Sequence, residues 1–80
     1  MIKVIQVGLG PIGVAVARQV LARKGLVLVG AVDSDPAKVG RDLGEICQLG
    51  RRVRVKVSAD ISQSIRASKP DVAALCTSSS

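Results

Sequence analysis

An apolar run from Ile2 to Val7 breaks at Gly8-Leu9-Gly10-Pro11-Ile12-Gly13 and resumes at once with apolar residues at helical spacing. A strand that turns within a few residues into a helix must have that helix return across its sheet. This points to a parallel α/β arrangement. The glycines stand at G-x-G-x-x-G, and each has its own physical use. Gly8 permits the tight turn out of the strand, Gly10 lets a ligand approach a backbone that carries no Cβ, and Gly13 lets the helix lie close to the strand. Pro11 falls at a first helical position, where its missing N–H is no loss. The opening turn of such a helix offers unpaired N–H groups and the positive end of its dipole to an anion. Gly8, Leu9, Gly10, Pro11, Ile12 and Gly13 are therefore candidate contacts for a pyrophosphate.

A glycine-rich loop alone is equally compatible with a purely structural turn. The surroundings favour a dinucleotide. A second apolar run, Leu26 to Val32, ends in Asp33, twenty residues beyond Gly13. A carboxylate there can accept hydrogen bonds from ribose hydroxyls, with Ser34 beside it as a further candidate contact. The extra phosphate of NADP would meet the negative charge of Asp33, and neither Ser34 nor Asp35 offsets it. NAD is accordingly favoured over NADP, unless Lys38 or Arg41 folds back towards a phosphate. Asp33 can alternatively serve as a turn cap ahead of Pro36.

Eighty residues accommodate one domain at most, and a complete dinucleotide-binding fold has two β-α-β-α-β halves. Residues 1–80 are thus expected to be a partial N-terminal dinucleotide-binding domain, with any substrate domain lying C-terminal to it. Val, Ile, Leu and Ala must build the core, because Phe, Tyr and Trp are absent. That absence also removes the stacking platforms of single-stranded nucleic-acid binders. The lack of His takes away the commonest acid–base residue and metal ligand at neutral pH. The net charge of +6, with Arg51, Arg52, Arg54 and Lys56 crowded together, raises a nucleic-acid interpretation. No nucleic-acid motif accompanies it, and a solvated strand face is the favoured explanation. Cys47 and Cys76 show no metal-ligand or redox spacing, which suits a reduced, cytoplasmic chain. The first apolar run is too short and broken for a signal peptide or a membrane span.

The remaining elements follow from pattern. Val14, Ala17, Val20 and Leu21 recur at helical spacing, with Gly25 as the stop. Leu26 to Val32 is continuously apolar, as in a strand buried on both faces. Pro36 opens a short helical stretch through Ala37, Lys38 and Val39. Val53, Val55 and Val57 alternate with Arg52, Arg54 and Lys56, predicting a third strand with one face in water. Its basic face would discourage edge-to-edge aggregation. Ser58 or Asp60 caps the next helix, which buries Ile61 and Ile65 and stops at Lys69-Pro70. Asp71 to Cys76 is the fourth strand. The expected fold is a Rossmann-type α/β domain with about four parallel strands in the order 3-2-1-4. Ligands bind such sheets outside the carboxyl ends of the strands, where Thr77 and Ser78 can donate hydrogen bonds near the nicotinamide ribose. A plain polar loop explains those two equally well. Asp42 and Glu45, three residues apart, read as a solvated helix face rather than an acid–base pair.

The segments Val7 to Gly13, Leu28 to Asp33 and Val39-Gly40-Arg41-Asp42-Leu43-Gly44-Glu45 together resemble the N-terminal domain of dihydrodipicolinate reductases and their relatives. The stretch G-x-D-x-G-E is the most specific part, and the likeness runs across nearly the whole chain. The family's typical members end the fourth strand in Asp-Phe-Thr, whereas this chain reads Leu75-Cys76-Thr77-Ser78-Ser79. That ending is more similar to the 2,4-diaminopentanoate dehydrogenase-like branch, and only Thr77 carries over from the typical pattern. The resemblance implies an NAD(P)H-dependent oxidoreductase acting on an amine or imine. It also implies a C-terminal domain that binds substrate, assembles a homo-oligomer and supplies the catalytic histidine and lysine, so no catalytic residue is assigned to this chain. A non-catalytic nucleotide-sensing module is the alternative. Neither nucleic acid nor membrane is an expected partner.

Overall fold

The structure, a computed structural model, describes residues 1–76. Four strands and three helices alternate among the described residues. They are β1 (Ile2–Val7), α1 (Pro11–Ala22), β2 (Leu26–Val32), α2 (Leu43–Ile46), β3 (Val57–Ser58), α3 (Ile61–Ser68) and β4 (Val72–Leu75). The strands form one sheet in the order β3-β2-β1-β4, every pairing parallel. This is the Rossmann-type order expected from the sequence.

The pleat separates two sets of core side chains. Val4 of β1 and Leu28 of β2 lie in one cluster with Leu9, Ala17 of α1, Leu43 of α2, Cys47 and Val57. Ile5 and Val7 alternate with Val4, and a register shift that skips Val29 of β2 brings Val32 to their side, so that the three form a second cluster. That second face belongs to α3, since a Cβ built on Gly30 of β2 would touch both Ile5 and the Ser68 hydroxyl. Each fully buried aliphatic side chain contributes roughly 1.5–3 kcal/mol, so an aromatic-free core is sufficient at this size.

Three local expectations are corrected. The segment after Asp33 makes only a turn, closed by Gly40 at φ 85°, and the helix forms later at Leu43–Ile46. The third strand is just Val57–Ser58 rather than a run from Val53. The reason is Asp42, whose carboxylate accepts the N–H groups of Val53 at 2.9 Å and Val55 at 3.2 Å and so withdraws them from any ladder. Arg54 between them is left-handed at φ 63°, which breaks the extended run. The basic residues thus sit on a loop and not on the face of an edge strand.

The third correction concerns α3. Ile61 and Ile65 are about half-exposed, at 40% and 42%, instead of buried. Ser64 and Ser68, one turn apart, face the sheet instead, and the Ser68 hydroxyl donates to the Ser64 carbonyl at 2.6 Å. These small residues let α3 settle close to Gly30, which turns the isoleucines to its flanks. Asp60 is the cap, accepting from the Gln63 N–H at 3.0 Å.

Candidate functional site

At the carboxyl ends of the strands the backbone is tied across the sheet. Gly8 N–H donates to the Val32 carbonyl at 2.8 Å, and Asp33 N–H donates to the Ser58 carbonyl at 3.0 Å. A cleft of about 530 Å³ opens there, lined by Gly8, Gly10, Asp33, Ser34 and Lys38 and floored by Val7 and Val32. Ala59 and Ile61, at the start of α3, close its far side. The half-exposed Ile61 thereby gains a place that the sequence pattern does not reveal.

The glycines differ sharply. Gly8 turns the chain at φ 96°, a region that side chains rarely adopt. A Cβ on Gly10 would meet nothing within 4 Å, so that backbone is open to an approaching group. A Cβ on Gly13 would stand 2.0 Å from the Gly8 carbonyl oxygen, the mark of a helix pressed onto its strand. Pro11 and Ile12 form the exposed first turn of α1, whose N-cap Gly10 has no side-chain cap. The leading amides of α1 are therefore left without a side-chain cap.

Leu9 behaves unlike its neighbours. Its side chain is buried in the core, and both its peptide groups are engaged by the turn after β2. The Asp33 Oδ2 accepts from Leu9 N–H at 2.7 Å, and the Lys38 Nζ donates to the Leu9 carbonyl at 2.6 Å. Asp33 also caps its own turn, with Oδ1 accepting from Asp35 N–H at 2.8 Å. A carboxylate has about four lone-pair directions, so the bonds from Leu9 and Asp35 leave capacity for a further donor. Partial burial opposes ionisation of Asp33, but the amides of Asp35 and Leu9 and the Lys38 charge outweigh it and hold the carboxyl below its ordinary value. The site thus presents a fixed anion with an ammonium beside it, next to the uncapped start of a helix. Arg41 takes no part, being paired with Glu45.

Gln6 is a feature the motif does not contain. It is the one fully buried polar side chain among the described residues, and its Nε2 donates to the Gly8 carbonyl at 3.2 Å. A lone amide inside the apolar run of β1 was the available signal. Thr77 and Ser78 lie outside the described residues. Among the described residues no group of His, Cys, Asp and Glu is arranged to hold a metal, and no helix is long and apolar enough to cross a membrane.

Residues 2–77 match the family described as dihydrodipicolinate reductase, N-terminus. An amine dehydrogenase from Streptomyces virginiae is 37% identical over 70 residues, which cover 88% of this chain and 19% of that protein. The solved structure of amine dehydrogenase from Mycobacterium smegmatis superimposes with a TM-score of 0.85 at 39% identity, covering 90% of this chain and 21% of that one. The chain therefore spans about a fifth of the length of either relative.

Proposed function

The chain belongs to the dihydrodipicolinate reductase N-terminal family, and on that premise we propose that its glycine-loop cleft holds the nicotinamide dinucleotide of an oxidoreductase acting on an amine or imine. The observation that carries the proposal is the contrast between Gly10 and Gly13: one glycine is packed shut and the other left open over an uncapped helix start. A cleft bounded by Gly8, Gly10 and the Asp33 carboxylate, at the loop that leads into α1, fits a pyrophosphate flanked by a ribose. In that arrangement the α1 amides hold the phosphates, Asp33 accepts from the adenosine ribose hydroxyls, and Ser34 lies at the same rim. The bound nicotinamide would supply hydride-transfer chemistry, while this chain supplies position and electrostatics. Thr77 and Ser78 complete the proposed contacts beyond β4.

NAD is the proposed preference, because Asp33 stays ionised at neutral pH and accepts hydroxyls better than it tolerates a phosphate. Lys38 moderates that preference, since its ammonium donates to the Leu9 carbonyl and keeps its charge beside Asp33. The wider proposal is a small amine or imine substrate, in keeping with the amine dehydrogenase relatives, held by a C-terminal domain; a cytoplasmic homo-oligomer is proposed with it. The catalytic residues then lie outside this chain, and residues 1–80 alone are expected to bind dinucleotide weakly and turn nothing over.

Calorimetric titration tests the site. NAD is expected to bind more tightly than NADP; the opposite order would overturn the preference, and binding of neither would overturn the cofactor assignment. Gly10→Ala should weaken NAD binding on the order of tenfold while leaving stability within about 0.5 kcal/mol, because its Cβ meets only ligand. Asp33→Ser should shift the NAD-to-NADP affinity ratio towards NADP by about tenfold, the equivalent of one charge-assisted hydrogen bond.

A further inference from the structure

The described surface has a second concavity besides the glycine-loop cleft. A depression of about 810 Å³ lies against the loop that precedes β3, lined by Arg41, Asp42, Glu45, Arg52, Arg54 and Lys56 together with Gly40. Both acids in it are already engaged. Asp42 is turned inward onto backbone amides, and Glu45 is paired with Arg41. Arg52, Arg54 and Lys56 are exposed, and no side-chain hydrogen bond or ion pair to them is found among the described residues.

The loop is fixed rather than loose. Leu43 N–H donates to the Val55 carbonyl at 2.7 Å, Val57 N–H donates to the Arg41 carbonyl at 2.9 Å, and Gly40 N–H donates to the Val57 carbonyl at 2.8 Å. These bonds hold Arg54 left-handed at φ 63°, a conformation that costs a non-glycine residue on the order of 1 kcal/mol. The fold therefore accepts backbone strain at a concave place lined by four cations and two already engaged acids. An anion bound there would meet the three exposed cations.

We propose that this depression is a second binding site, for a compact oligophosphate, formed by Arg52, Arg54 and Lys56 with Arg41 at its rim. Guanidinium groups match phosphate oxygens in pairs, and several cations around one hollow suit a ligand carrying adjacent phosphates. A free oligophosphate and the phosphate chain of a nucleoside triphosphate share this chemistry. An extended nucleic acid is disfavoured, because the cations ring a hollow and no aromatic side chain is available for stacking. The proposal does not rest on the cofactor reading.

Amide NMR titration of the full chain with tripolyphosphate, at constant ionic strength, tests it. Shifts confined to residues 40–57 that saturate are expected, with adenosine triphosphate giving the same set if its phosphate chain is the ligand and a smaller one if the free anion is preferred. Arg54→Gly should weaken binding by about tenfold, and because glycine relaxes the positive φ the variant should fold at least as well as the parent. Arg54→Lys, which keeps the charge but not the paired donors, should lose less affinity than Arg54→Gly, and Arg66→Gln, which removes a charge from α3, should change little. Equal losses in Arg54→Gly and Arg66→Gln would reduce the effect to overall charge and overturn the site. So would unsaturable shifts matching those of chloride, or tighter Arg54-dependent binding of duplex DNA than of tripolyphosphate.

Discussion

Gly13→Ala is expected to lower the thermal midpoint by at least ~12 °C, corresponding to about 3 kcal/mol in a domain this small. The added Cβ would lie 2.0 Å from the carbonyl oxygen of Gly8 and 2.7 Å from its carbon. Both atoms are backbone, so no side chain can swing aside to make room. Gly8 is itself held by its φ of 96°, by the bond from Gly8 N–H to Val32 and by the Gln6 amide on its carbonyl. The helix must then lift from β1, withdrawing Ala17 and exposing Val4 and Leu9 of the main cluster. A chain of this length has only about 4–12 kcal/mol of stability, so the loss is a large fraction of the whole. Heat or urea denaturation followed by circular dichroism measures it. An unchanged midpoint would mean that α1 does not lie against the Gly8 turn, and the account of the glycine loop would fail with it. Gly10→Ala is the internal control, since its Cβ meets nothing within 4 Å.

The pairing of Gly8, Gly13 and Asp33 is legible in sequence because each residue answers a local requirement: a turn, a close approach, a carboxylate at a strand end. The strands β2 and β4 are legible because each is a run without polar side chains, and β1 because its apolar, β-branched residues outweigh Lys3 and Gln6. Residues 53–57 mislead because alternation reports which side chains face inward, not which amides join a ladder. Val53 and Val55 do pack against the core while the arginines point out, yet their N–H groups belong to Asp42. The signal for Asp42 was present in Asp42-Leu43-Gly44-Glu45, an acceptor with a glutamate three residues on, the pattern of a helix start as much as of a solvated face. The contact of Lys38 with the Leu9 carbonyl, 29 residues away, is not legible locally at all. It depends on how the turn after β2 folds back over the glycine loop.

Asp42→Ala is the other substitution expected to act strongly, at about 3 kcal/mol, because it leaves several partly buried donors unpaired at once. The carboxylate accepts from Gly44 N–H at 2.8 Å, Val53 N–H at 2.9 Å and Val55 N–H at 3.2 Å, so a single side chain both caps α2 and suspends the loop before β3. Gly44 gives no room for a substitute arrangement, since a Cβ there would stand 2.1 Å from the Arg51 carbonyl oxygen. The same residue sets a pH dependence. Burial tends to raise the Asp42 carboxyl, but the amides of Val53, Gly44, Arg54 and Val55 prevail and hold it below its ordinary value. A group depressed in the folded state stabilises fully above the unfolded carboxylate range and loses that contribution as pH falls through the folded value. Asp33 carries the same sign. Stability is therefore expected to be level near neutrality and to decline below about pH 4. Asp42→Asn should be less stable at neutral pH and decline less steeply in acid, where the parent carboxyl is also uncharged. Parallel acid limbs for Asp42→Asn and the parent would show that the carboxylate does not hold this loop. The anion site proposed on that loop would then lose the scaffold that gathers its arginines.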